Sequence, residues 1–108
     1  MADFEIVLGQ SDHFKPSEVK GGELRVGNDV IPLNWSWDSS GQASMAIDGG
    51  ANPSATGVSL TGVGLTSTHG GVPGTLTATM PNGVKFGSVT VEIISADSQV
   101  DTIGIVRG

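Results

Sequence analysis

The residues able to do chemistry are few. His13 and His69 are the only histidines, each in a polar stretch, with Asp12, Asp38 and Asp48 as nearby candidate partners, and no cysteine occurs. Thiolate catalysis, disulfides and cysteine zinc sites are thereby excluded. A transition-metal site needs three or four convergent ligands, and these His and Asp positions have no metal-binding spacing. Asp38-Ser39-Ser40-Gly41 and Asp48-Gly49-Gly50 are oxygen-rich but lack the dense acidic spacing of a calcium loop, so they read as turns. Twelve serines are present, yet none sits in a Gly-x-Ser-x-Gly elbow. Gly62-Val63-Gly64 lacks the third glycine and following helix of a dinucleotide loop. Paired carboxylates of the glycosidase kind would have to meet through folding, in a domain too small for a deep cleft. The expectation is a protein that is no enzyme and carries no cofactor or metal.

The elements that would have to position any site are strands. Ile31, Leu33, Trp35 and Trp37 alternate with Pro32, Asn34 and Ser36, so one face is apolar and the other wet. This places both tryptophans in the core or in a buried subunit interface rather than on a sugar-binding platform. Pro32 lacks the donor of a ladder hydrogen bond, which puts the strand at an edge or Pro32 at a bulge. Ala43, Met45 and Ile47 form the next alternating face. Leu76, Ala78 and Met80 alternate with threonines, Pro81-Asn82-Gly83 supplies a hairpin turn, and Val89, Val91 and Ile93 share the inward face of the return strand. Phe4 to Leu8 forms a first strand closed by Gly9, and residues 11–22 show no period and read as a loop or arm. Glu23 to Val26 resumes a strand, turned by Gly27-Asn28-Asp29. Gly57-Val-Ser-Leu-Thr is nearly repeated five residues later as Gly62-Val-Gly-Leu-Thr. Five is odd, so a bulge or bend near Gly62 is expected to restore the face. Nothing shows a 3.6-residue apolar stripe. An all-β class follows.

A chain of 108 residues holds one core. The expected division is an N-terminal strand and arm over 1–22, a β-sandwich over 23–95 and a C-terminal strand or arm over 96–108. Five Lys and Arg against eleven Asp and Glu give a net charge of −6. Lys15, Lys20, Arg25, Lys85 and Arg107 are dispersed, which argues against nucleic acid as partner. The acidic start Met1-Ala2-Asp3-Phe4-Glu5 lacks the basic flank and apolar run of a signal peptide, so synthesis in the cytoplasm without a leader and no membrane association are expected. Asn34-Trp35-Ser36 fits a glycosylation acceptor but reads as strand.

From Val26-Gly27-Asn28-Asp29-Val30-Ile31-Pro32-Leu33, through Ala43 to Asp48 and Thr61-Gly62-Val63, to Gly74-Thr75-Leu76-Thr77-Ala78-Thr79, Asn82-Gly83 and Ser88-Val89-Thr90-Val91, the chain resembles bacterial immunoglobulin-like domains of the second group, found in adhesins and on phage virion proteins. It departs from that pattern at Trp35-Ser36-Trp37-Asp38-Ser39-Ser40 and in a longer insert over residues 51–74. The resemblance implies an immunoglobulin-like β-sandwich of about seven to eight short antiparallel strands with extended N- and C-terminal arms. The family shares no catalytic site, so no functional residue carries over.

These readings converge on a structural role as a decoration or cement protein on a phage capsid. The expected partners are the major capsid protein and further copies of the chain, in a homo-oligomer such as a trimer, with the virion surface as location. Phe4, His13, Phe14, Lys15, Lys20, Ile103, Ile105 and Arg107, on the two arms, are the candidate partner-binding residues, gripping neighbours by strand addition. An adhesion or carbohydrate-binding immunoglobulin-like module is the alternative. Another virion subunit, in a tail tube or at head completion, is a variant of the first reading.

Overall fold

The computed structural model describes residues 2–16, 25–26 and 29–96, with the backbone alone at 25–26 and 29–30. Nine strands are present among these residues: β1 (Phe4–Val7), β2 (Ser11–Phe14), β3 (Arg25–Val26), β4 (Asp29–Val30), β5 (Asn34–Trp37), β6 (Ala43–Ile47), β7 (Val58–Gly62), β8 (Gly74–Thr79) and β9 (Lys85–Ile94). A 3-10 helix, Thr66–His69, lies between β7 and β8. A four-stranded sheet in the order β1-β9-β8-β5 packs on a three-stranded sheet in the order β2-β7-β6, and β3 pairs with β4. The molecule is an all-β sandwich.

The alternation places the core. Leu33, Trp35, Leu76, Ala78, Val91 and Ile93 point inward from the larger sheet and its approach, and meet Ala43, Val58 and Leu60 from the smaller one. The β8–β9 hairpin turns as expected: Gly83 adopts a φ of 88°, its N–H donates to the Met80 carbonyl, and the Met80 N–H donates to Val84. The register of this hairpin then slips, because Ala78 lies opposite Gly87 while Thr79 lies opposite Lys85. Phe86 is the extra residue of a bulge.

Three expectations change. Residues 11–14 are a strand rather than the start of an arm, antiparallel to β7 with Phe14 opposite Val58. Its burial pattern, with Phe14 alone covered, leaves no alternation to read, because an edge strand can carry polar side chains at every other position. β1 is parallel to β9, with Phe4 beside Val91, so the strands are not all antiparallel. Leu8 and Gly9 form the turn that carries the chain from one sheet to the other, drawing residues ahead of position 23 into the sandwich. Near the Gly-Val repeat, β7 ends at Gly62 and the chain bends away into the 3-10 helix, leaving Val63 53% exposed.

β5 is an edge strand, and its open side is occupied. The Asn52 side chain accepts from the Trp35 N–H at 2.7 Å and donates to the Trp35 carbonyl at 2.9 Å, imitating one residue of a neighbouring strand. Leu33 and Ser54 add a bridge beside it. On β6 the Ala43 carbonyl is taken by the Trp37 indole at 3.0 Å. These contacts blunt both edges on that side of the sandwich against further pairing.

Candidate partner-binding groove

His13, Asp12, Asp38 and Asp48, singled out for chemistry, are engaged in structural bonds. The His13 Nε2 lies 2.8 Å from Asp48 Oδ2, and Thr56 Oγ1 donates to the same oxygen at 2.8 Å. These two hydrogen bonds hold the Asp48 carboxyl below its ordinary range. They tie β2 to the turn after β6. At the opposite end Asp38, Ser39 and His69 line a small cleft. The Ser39 hydroxyl donates to Asp38 Oδ1 at 2.8 Å, and the Thr75 N–H donates to that atom at 2.7 Å. A serine that gives its proton to the aspartate is not placed for activation by an imidazole. Among the described residues no group of three or more acidic or histidine side chains is arranged to hold a metal ion, and no helix is long and apolar enough to cross a membrane.

Both tryptophans face inward, as the spacing predicted. Trp35 is 6% exposed and donates its indole N–H to the Ser54 carbonyl at 3.0 Å. Trp37 is half-buried, and its indole N–H is shared between the Ser39 and Ala43 carbonyls.

What the fold leaves open is an apolar groove of about 470 Å³ at the end of the sandwich where β2 finishes. The larger sheet runs on past the smaller one there, because β8 and β9 continue to the hairpin after β2, β6 and β7 have stopped opposite one another. Leu76, Ala78, Gly87 and Val89 line it from the larger sheet, with Phe4, Phe14, Trp35 and Phe86 as aromatic walls and Lys15, Pro16 and Ser88 completing the lining. The Phe4 and Phe14 rings meet edge to face, their centroids 5.2 Å apart, and close the β1–β2 side. The cross-strand pair of Ala78 and Gly87 leaves a hollow, and a Cβ built at Gly87 meets no atom within 4 Å.

Of the residues expected to bind a partner, Phe4, Phe14 and Lys15 come together here. Their exposure differs from that of an arm: Phe14 is buried in the core while Phe4 stays 44% exposed. His13, one residue before Phe14, points away from the core to Asp48. Lys20, Ile103, Ile105 and Arg107 lie outside the described residues, as does the expected C-terminal arm beyond Ala96. Sequence reasoning missed Ala78, Phe86 and Gly87 as groove residues, because their placement depends on the bulge at Phe86. Comparisons with protein-family models, with curated proteins and with solved structures give no match to this chain.

Proposed function

We propose that this protein is a structural virion subunit, an immunoglobulin-like module that binds the outer surface of a phage head and strengthens the shell. The immunoglobulin reading draws support from strand order. β2-β7-β6 against β5-β8-β9 reproduces the B-E-D and C-F-G sheets of that fold, with crossings between sheets at the same places in the chain. Trp35, buried on the strand in the C position, occupies the place of that fold's core tryptophan. β1 departs from that scheme by joining the other sheet, beside β9.

The observation that carries the functional reading is the groove: an apolar, aromatic-walled recess at one end of a small sandwich whose His13, Asp38, Asp48 and tryptophans bond internally. Such a surface suits a protein segment, which supplies apolar side chains and strand-like backbone. The partners in this reading are the major capsid protein and other copies of the chain. Purified protein mixed with capsids lacking it is expected to co-sediment at micromolar concentration and to raise the temperature at which the shells open. Protein that stays in the supernatant at that concentration overturns the assignment.

A further inference from the structure

We propose that Asn82, at the tip of the β8–β9 hairpin, is a site of spontaneous covalent modification: its side-chain amide closes onto the Gly83 nitrogen as a cyclic imide, and the isoaspartate this yields breaks the turn. The reaction needs no partner, so it proceeds whatever the groove binds.

The Gly83 nitrogen gives its proton to hydroxide from solvent and attacks Asn82 Cγ. A bond between that nitrogen and Cγ forms, closing a succinimide ring, while the bond from Cγ to Nδ2 breaks and the amide leaves as ammonia with a proton from water. Water then adds to either ring carbonyl. Opening on one side gives aspartate, and on the other isoaspartate, in which the main chain runs through Cβ and Cγ. Nothing is oxidised or reduced, and water is the co-reactant.

Four asparagines occur in the chain, and the residue that follows each one separates them. Ring closure needs a main-chain N–H on that residue and little bulk beside it. Asn82 alone is followed by glycine. Asn52 precedes Pro53, whose nitrogen carries no hydrogen, and its side chain is tied to both backbone groups of Trp35. Asn34 precedes Trp35, whose bulk crowds the approach and whose N–H is taken by Asn52 Oδ1 at 2.7 Å. Asn28 precedes Asp29 and lies outside the described residues. Asp48-Gly49 has the same order with a carboxyl in place of the amide. His13 and Thr56 both bond its Oδ2, and an ionised carboxylate offers no leaving group.

The turn exposes both reacting residues. The Val84 N–H donates to Asn82 Oδ1 at 2.9 Å, drawing electrons from Cγ and stabilising the charge that collects on that oxygen during attack. The Gly83 N–H donates to the Met80 carbonyl at 2.8 Å, so attack waits for this exposed bond to open, which requires far less than unfolding the core. Isoaspartate adds a methylene to the main chain and a carboxylate to the turn. The bonds from Gly83 to Met80 and from Met80 to Val84 then lose their spacing. The bulge at Phe86 lies just beyond this turn, and Phe86 and Gly87 line the groove, so the change lands beside the recess.

Full-length protein held at mildly alkaline pH and physiological temperature, both folded and in urea, tests this by peptide mass mapping with enzymatic labelling of isoaspartate. Folded wild type is expected to gain aspartate and isoaspartate at position 82 and to release ammonia in equal amount, while Asn34 and Asn52 keep their amides. Asn82→Gln is expected to keep its amide, since the longer side chain would have to close a larger ring. Asn82→Asp supplies the same charge on an unaltered main chain, and the isoaspartyl fraction, separated by ion exchange, is expected to melt below it. The proposal is overturned if Asn82 keeps its amide in the folded protein, whether or not the chain in urea loses it. Loss at Asn34 or Asn52 as fast as at Asn82 also overturns it, as does an isoaspartyl form that melts together with Asn82→Asp. If Asn82→Gln fails to fold, the comparison among asparagines within wild type decides alone.

Discussion

The two ends of the sandwich are made from the same alternating strands and finish in opposite ways. Where β8 begins, the core is sealed by polar groups that satisfy one another. Thr66 Oγ1 donates to Gln42 Oε1 at 2.6 Å and accepts from the Ile93 N–H at 2.7 Å, while Gln42 Nε2 donates to the Val72 carbonyl at 2.7 Å. Gln42 and Thr66 are both buried. The Ile93 N–H needs this help because β8 starts at Gly74, opposite Val91, and offers no ladder partner farther along β9. Where β8 finishes, the larger sheet overruns the smaller one, and the apolar groove lies open with no such polar seal described around it. A closed end has every position filled, so it tolerates little change. An open end has room, so a side chain added beside Gly87 meets no neighbour.

The largest effect expected from this contrast is at Gly74. A methyl group there would clash with Cη2 and Cζ2 at the edge of the Trp37 ring and lie 2.8 Å from Ser39 Cβ. Trp37 cannot yield easily, since its indole N–H bonds the Ser39 and Ala43 carbonyls. Gly74→Ala is expected to destabilise by about 3 kcal/mol, the upper part of the usual cost of overpacking, read from urea unfolding. A loss below about 1 kcal/mol would mean the sealed end is looser than its contacts indicate. Thr66→Val comes next. It keeps the shape and deletes the hydroxyl, leaving the Ile93 N–H and Gln42 Oε1 without their partner, at an expected cost of about 1–3 kcal/mol. Hydrogen exchange of the Ile93 amide, faster in the variant relative to Val91, locates the loss.

How legible the molecule is in its sequence follows the same division. The hairpin of β8 and β9 can be read because alternation continues on both sides of Pro81-Asn82-Gly83, and the inward faces of Leu76, Ala78, Val89, Val91 and Ile93 follow from it. β2 cannot, since Ser11, Asp12 and His13 are polar and Phe14 alone enters the core. The parallel pairing of β1 is hidden because alternation reports faces and not the direction of a partner. Phe4, Phe14 and Lys15 stand out as apolar and basic residues in a polar stretch. That they share a groove with Ala78 and Gly87 depends on sheet order and on a one-residue slip in register, neither of which local pattern encodes.

Acid separates the edges more gently. Asp48 has its carboxyl held low by the bonds from His13 and Thr56, so its contribution is present above the ordinary carboxylate range and is lost as pH falls through the depressed value. Glu92 behaves oppositely. It faces Glu5 across the β1–β9 pairing, and a hydrogen bond shared with Glu5, together with desolvation, raises its carboxyl. Its contribution is present in acid and is lost as pH rises through the raised value. On acidification from neutrality the melting temperature is expected to rise slightly first, as Glu92 takes its proton, and then to fall at lower pH as Asp48 takes its own. Glu92→Gln should remove the early rise and Asp48→Asn should soften the later fall. Because both groups are only partly covered and reached by solvent, each effect should stay at about 0.5 kcal/mol or less. A Glu92→Gln profile that keeps the early rise would exclude the Glu5–Glu92 pair as its source.

The smallest effect is expected at Gly87, the counterpart of Gly74 at the open end. Both glycines sit in the central hairpin of the same sheet, and both lie among inward-facing residues of their strands. At Gly87 an added Cβ meets nothing within 4 Å, so Ala should enter without strain. It should also restrict the unfolded chain, a gain of about 0.4–1 kcal/mol where the native backbone accepts alanine. Gly87→Ala is therefore expected to be neutral or slightly stabilising in the same urea titration in which Gly74→Ala is severely destabilised. If both variants lose stability alike, strand glycine itself is the cause and the contrast between the ends fails. If only Gly74→Ala suffers, the space beside Gly87 is unused by the folded chain, and the two ends of the hairpin differ in packing and not in backbone.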